Sequence, residues 1–421
     1  MNNNIRYNRK IISLQHNHFA IMLQKQYLQE IMISQKETIV RKDKSLSREQ
    51  LLLLPDVKNF ATIVSGIRRC GKSTLLFQML REKYPQAVYI NFDDPRLVDF
   101  ELSDTGKLDE LIAESRSNVL MFDEIQIIKG WERYVRQKSE ENFRVFVTGS
   151  NTSLLSGESG TSLTGRHLSS ELFPFSYNEF CRFFSLEKNK ESVLKYLNKG
   201  GFPEYLKNDV PEILMMLLDD ILFRDIAIRY NLRDIKTLQR LTLFLLSNVG
   251  NYVSGNKLKN TFNILSTTTI LEYFSHLEQC YLLNFVPLFD YSLKKQNINP
   301  KKIYAIDTGL VEIVTPSFKS DAGHKFENLI FLSLRRQYKE IYYYKNKGEC
   351  DFLIMEKGII HRAIQACYHL NPDNLQRELS GLYEAMQTFD LKNGFIITLD
   401  QKDHFEKDGM SVEVLPSFLF L

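Results

Sequence analysis

At 421 residues the chain is too long for one ordinary core, and its net charge of +3 gives no bulk reason to expect a nucleic acid or an anionic membrane as partner. Apolar residues at 43% and charged residues at 25% match ordinary globular usage, which argues against extensive disorder and for a soluble protein. The five cysteines, Cys70, Cys181, Cys280, Cys350 and Cys367, are scattered and form no C-x-x-C pair, which argues against a disulfide framework or a zinc site. No apolar run reaches the roughly 18 residues of a bilayer span, and the start MNNNIRYNRK lacks the order of a signal peptide; the expected compartment is the cytoplasm, with no membrane partner.

Residues 1–54 form a helical extension, in which HFAIMLQKQYLQEIMIS repeats its apolar positions every three to four residues and predicts an amphipathic helix. From 55 to 165 four apolar strands, ATIVS, AVYIN, NVLMFD and FRVFVTG, alternate with helical stretches and predict a parallel sheet covered on both faces. The fold class is α/β. Residues 166–235 are expected to form a helical lid or linker around GGFPEYL and EILMMLLDDILFRDIAIRY. Residues 236–302, with three helical stretches and FVPLFDYSLKK as a strand pair, predict a winged helix-turn-helix. The order α-β-β-β-α-β over 303–421 predicts a further mixed α/β domain.

Gly66-Ile67-Arg68-Arg69-Cys70-Gly71-Lys72-Ser73, followed by Thr74, fits the phosphate-loop pattern G-x-x-x-x-G-K-[ST] between a strand and a helix. Such a loop turns its N–H groups and the helix N-terminus toward phosphate oxygens, Lys72 neutralises phosphate charge, and the Ser73 hydroxyl ligates Mg²⁺. Asp123 and Glu124 end a buried strand, where open α/β sheets place site residues. Asp123 is expected to hold Mg²⁺ and Glu124 to orient and deprotonate the attacking water. Ser150 and Asn151 follow the next strand, either sensing a γ-phosphate or capping a helix. Arg166 is either an arginine finger, in the same chain or a neighbour, or a solvated surface residue.

The motifs GIRRCGKSTLL, LMFDEIQ, VTGSNTSLL, LTGRHLSSELFPFSYNEF, GGFPEYL, KKIYAIDTGL, GHKFENLIF, ECDFLI and AIQACY resemble those of the bacterial and archaeal AAA+ ATPases that carry a C-terminal DUF4143 domain. The resemblance covers about 55–421 and implies ATP rather than GTP as the nucleotide, with Mg²⁺, turnover to ADP, and Arg166 as a finger or sensor in a homo-oligomer. The terminal domain looks like the restriction-endonuclease type, which implies a second metal site at Glu327, Asp351 and Gln365, with Glu349 beside it. Such nucleases carry a Lys two residues after the third position, where this chain has Cys367, so a retired nuclease fold is expected.

The recognition-helix segment STTTILEYFSHLEQCYLL has no Lys or Arg, and the basic residues of this region are Lys294, Lys295, Lys301 and Lys302 in the wing. DNA binding needs cations, so packing against the ATPase or a protein partner is the expected use of this unit. Three readings stay open: an ATP-hydrolysing machine, an ATP-gated factor that binds or cleaves DNA, and a slow nucleotide switch that grips a protein partner.

Overall fold

A computed structural model describes residues 24–42, 45–150, 166–315 and 321–421. Five strands, β1 (Ala61–Ser65), β2 (Val88–Asn91), β3 (Val119–Asp123), β4 (Arg144–Gly149) and β5 (His167–Glu171), form one parallel sheet in the order β2-β3-β4-β1-β5. Successive side chains of a strand point to opposite faces, so each strand serves two cores. Ala61, Ile63, Leu120, Phe122, Val145 and Val147 pack on one side. Val64, Val119, Met121 and Phe146 pack on the other, in a core that continues into the lid and the C-terminal half. The helix Lys25–Lys42 closes the first face by burying Leu28 and Ile31 there.

The fifth strand lies within residues 166–235, where only a helical lid or linker was expected. His167–Glu171 pairs in register with β1, from Ala61↔His167 to Ser65↔Glu171. Its sequence HLSSE lacks apolar alternation because it is an edge strand with only part of its length buried. The rest of the segment expected to be a lid contains the helices Tyr177–Phe184, Lys190–Lys199, Pro203–Asn208 and Glu212–Asp220, running into a π-helical segment, Ile221–Ile228. Its first helix starts at a reciprocal cap in which Ser176 and Glu179 satisfy each other's backbone N–H groups.

Three helices, Ile235–Leu246, Gly255–Phe262 and Thr267–Gln279, are joined by a small sheet of β6 (Tyr252–Val253), β7 (Leu283–Val286) and β8 (Lys301–Ala305), in the order β6-β8-β7. The segment FVPLFDYSLKK is not a strand pair. Pro287 follows the end of β7, a short helix spans Leu293–Ile298, and β8 pairs back from Leu283↔Ala305 to Val286↔Lys302. A boundary at 302 therefore cuts through a strand.

The terminal unit opens with the helix Ala322–Gln337. Its sheet contains β9 (Glu340–Lys345), β10 (Glu349–Glu356), β11 (Ile359–Ala366), β12 (Asn393–Thr398), β13 (Asp403–Lys407) and β14 (Met410–Pro416), ordered β13-β14-β12-β11-β10-β9. The helix Pro372–Thr388 crosses between β11 and β12. Arg335 pairs with Glu171 of β5 at 2.7 Å, and Arg336 donates to the Pro174 and Phe175 carbonyls, which ties this unit to the parallel sheet. Among the described residues no helix is long and apolar enough to cross a membrane.

Candidate active site

Gly66 and Gly71 shape the loop after β1. Gly66 has φ +153°, and a Cβ there would sit 2.1 Å from the Leu172 carbonyl oxygen; Gly71, at φ +103°, leads into the helix Lys72–Glu82. Lys72 is 4% exposed and donates to the Gly66 and Ile67 carbonyls at 3.1 and 3.2 Å, with Glu124 Oε1 at 3.9 Å. Its ammonium thus lies inside the curl of the loop, facing the acidic end of β3.

Asp123 is fully buried there. Its Oδ2 accepts from the Tyr89 hydroxyl at 2.9 Å, Oδ1 accepts from Thr148 Oγ1, and the Ser73 hydroxyl bonds the same carboxyl group. Burial and the neighbouring Glu124 push the Asp123 pKa up, against the pull of these three hydroxyls. A serine hydroxyl beside a carboxylate is the hard-oxygen donor set that suits Mg²⁺, so Ser73 and Asp123 fit that ion. Glu124 has φ +52°, a strained conformation for this residue, and its N–H donates to Thr148 Oγ1 at 3.0 Å. Thr148 therefore fixes both acids at once. It was missed in the sequence, where its only signal is a lone hydroxyl inside the apolar strand FRVFVTG.

The remaining loop residues divide by task. Ile67 and Cys70 are buried, and burial raises the Cys70 thiol pKa, so the thiol is inert packing. Thr74 lies in the first helical turn. The side chains of Arg68 and Arg69 turn away from the loop to the helices of 203–228. Arg68 forms a two-pronged pair with Asp225 of the π-helical segment, 2.9 Å on each prong, and Arg69 reaches Glu204 at 3.3 Å and Asp220 at 3.1 Å. Tyr281 of the three-helix unit donates to Ser65 Oγ, one residue before the loop, at 2.7 Å.

Beneath the loop lies Arg48, which no pattern had marked. It is 3% exposed and donates to the carbonyls of Cys70 and Phe173 at 2.7 Å each and to Glu179 Oε1 at 2.8 Å. Burial works to raise the Glu179 pKa, but Arg48 and two backbone N–H groups outweigh it and hold the carboxyl below its ordinary value.

Ser150 is buried at the end of β4, and Asn151 lies outside the described residues. Arg166 is not brought to this loop. Its carbonyl accepts from Ala61 N–H at the start of β1, the end of the strand remote from the loop, roughly 16 Å away over five residues. Its side chain is half exposed and pairs with Glu140, so it does not reach this chain's own nucleotide site.

The terminal unit brings Glu327, Asp351 and Gln365 together at the base of a cavity of about 770 Å³, but around an ammonium group. Lys302 Nζ lies 2.7 Å from Asp351 Oδ1, 2.8 Å from Glu349 Oε1 and 3.1 Å from Glu327 Oε1. Lys302 is thus not a wing surface residue: it is 3% exposed, and the surrounding carboxylates raise its pKa well above normal despite the opposing effect of burial. Burial and Asp351 push Glu327 up to about 8. Gln365 accepts from Asp351 N–H at 3.1 Å and donates to Glu378 at 2.6 Å. Cys367, whose thiol burial pushes up to about 11, lines the cavity without carrying its charge. The Lys302 ammonium thus stands among the acids where the sequence led to the expectation of a second metal, and among the described residues no group of three or more His, Cys, Asp or Glu could hold a metal ion.

The family model for an AAA domain matches residues 58–181, beyond the expected limit of 165 and inclusive of β5. A second model, Domain of unknown function (DUF8612), matches residues 190–321, where the motifs had suggested a DUF4143 protein. An uncharacterized Haemophilus influenzae protein is 30% identical over 86% of this chain and 95% of its own length. Among solved structures, C. elegans PCH-2 aligns at TM-score 0.22 and 13% identity over 42% of this chain and 48% of that one. Hsp104 with ATPγS and FITC casein aligns at TM-score 0.29 and 12% identity over 63% and 54%. This chain spans about half of each, and likeness at that level carries no weight. Uncharacterized protein MJ1544 of Methanocaldococcus jannaschii is 34% identical over 94% of this chain and 95% of its own length, so this chain, with its P-loop AAA domain and its DUF8612 region, belongs to one family with that archaeal protein.

Proposed function

We propose that the protein binds and hydrolyses ATP with Mg²⁺, and that the nucleotide state sets the position of the lid and of the three-helix unit. The observation that carries this reading is the meeting of Lys72, Ser73, Asp123, Glu124 and Thr148 at the carboxyl ends of β1, β3 and β4. The choice of ATP rests on the AAA domain.

In this reading the backbone N–H groups of the loop and the Lys72 ammonium take the β- and γ-phosphates, and Ser73 with Asp123 would hold the magnesium. Bound with the nucleotide, magnesium supplies positive charge to the phosphate oxygens. Glu124, held by Thr148, orients a water and takes its proton as the water oxygen bonds the γ-phosphorus and the bond to the β–γ bridging oxygen breaks. ADP, phosphate and a proton leave. Arg166, remote from its own site, serves as a finger only for a neighbouring copy, which makes specific activity rise with protein concentration.

The three-helix unit with its small sheet acts here as a winged helix used for packing. Its third helix, Thr267–Gln279, buries Ile270, Tyr273, Phe274 and Leu277 and carries no Lys or Arg. With Lys302 buried, the wing keeps Lys294, Lys295 and Lys301, too few charges for the steep salt dependence of a DNA binder. Phosphate release by the purified protein tests the central reading. Lys72→Ala is expected to abolish nucleotide binding and Glu124→Gln to retain binding while losing at least about a hundredfold in turnover. Equal turnover in all three proteins refutes it.

A further inference from the structure

The resemblance to restriction-endonuclease-type domains implies a divalent metal among Glu327, Asp351 and position 365, and the donors present do not fit one. An ammonium group has three N–H bonds, and Lys302 has three carboxylate partners within 3.1 Å. Several of the same groups carry further hydrogen bonds. Glu327 Oε1 also accepts from the Tyr304 hydroxyl at 2.6 Å, Asp351 Oδ2 accepts from Ala366 N–H at 3.0 Å, and the amide of Gln365 bridges Asp351 N–H and Glu378.

Lys302 is also held from behind. It sits on β8, the middle strand of its sheet, two residues before Tyr304, whose fully buried ring stacks on Phe331 at 4.3 Å. Withdrawing the ammonium would leave Glu327 and Asp351, 9% and 5% exposed, facing each other without a counter-ion. The side chain is therefore a fixed part of the site.

We propose that Lys302, delivered from the three-helix unit, stands in for the divalent cation of this cavity, so that the native chain takes no Mg²⁺ or Mn²⁺ there and its carboxylates form a latent metal set that opens only when the lysine is removed. The ligand class of that latent site is a hard divalent cation bound by oxygen. The role of the lysine in the native chain is to neutralise carboxylates contributed by the terminal helix and by β10, which fastens the two units to each other.

The test uses Mn²⁺ alone, without nucleotide, on the full chain, with bound metal counted by electron paramagnetic resonance of the free ion. Wild type should show no saturable Mn²⁺ site that Asp351→Asn removes. Lys302→Met should gain one such site, at least roughly tenfold tighter than any wild-type binding, and Lys302→Met with Asp351→Asn should lose it again. A wild-type site that disappears in Asp351→Asn overturns the proposal, and so does a folded Lys302→Met that gains nothing. If Lys302→Met does not fold, Glu349, whose side chain is 34% exposed, gives the second reading. A rise in the wild-type melting temperature with Mn²⁺ that Glu349→Gln abolishes overturns the proposal, and no rise supports it.

Discussion

Replacing Arg48 with Met tests how the nucleotide loop is held from below. The substitution keeps most of the side-chain bulk but removes the charge, so Glu179, 2% exposed, loses the guanidinium that pairs with it while keeping the backbone N–H groups of Ser176 and Glu49. Breaking one side of a buried pair costs about 3–5 kcal/mol, whereas replacing both sides with apolar groups is close to neutral. Urea unfolding should therefore show a loss near that size for Arg48→Met, a similar loss for Glu179→Met, and a double variant far more stable than the sum. The same guanidinium bonds the Cys70 carbonyl at 2.7 Å, a charged hydrogen bond of about 1.5–3 kcal/mol, so ATP affinity measured by calorimetry should fall roughly ten- to hundredfold in Arg48→Met under conditions where it is folded. The reasoning is refuted if Arg48→Met loses less than about 1 kcal/mol, or if the double variant is as unstable as the two single losses added together.

Asp225→Asn should weaken the two-pronged hold on Arg68 and uncouple the lid from the loop. The expected result is a change in kcat with little change in ATP affinity, partly restored by no neutral partner but recovered in the exchanged pair Arg68→Asp with Asp225→Arg; equal loss in KM and kcat would contradict it. Asp307 supplies a pH test. Burial raises its carboxyl to about 6, so the folded state binds this proton more tightly than the unfolded state, and its contribution to stability is greatest at low pH and is lost as pH rises through 6. The wild type minus Asp307→Asn difference in unfolding free energy should fall between about pH 4 and 6 by up to roughly 3 kcal/mol, and a difference that rises over that range would contradict the assignment.

What could be read in advance was what lies close together along the chain. The loop from Gly66 to Ser73 and the acids at the end of β3 are each set by a few consecutive residues, and a strand followed by glycine, lysine and a helix leaves little freedom in how they fold. β5 escaped because an edge strand with one paired neighbour has no need of apolar alternation. Arg48 and Lys302 escaped for another reason. Arg48 meets Glu179 across 131 residues and Lys302 meets Asp351 across 49, and a charge that is neutralised only by long-range folding looks in the sequence like any surface charge. The terminal acids carry a local sequence pattern, while the cation they surround comes from β8 of the three-helix unit.

Strand β8 makes these two units difficult to inherit separately. Within seven residues it pairs with β7, sends Lys302 into the terminal cavity and leads to Asp307, whose carboxylate accepts from Gly201 N–H of the lid at 2.6 Å and caps the helix Thr308–Val314. A recombination event that exchanged the terminal unit at position 302 would carry carboxylates into a protein without their lysine, or leave a lysine buried without its carboxylates. Variation in such a chain is therefore expected to move through compensating substitutions on both sides of the strand, with the lid, the three-helix unit and the terminal unit travelling as one inherited piece.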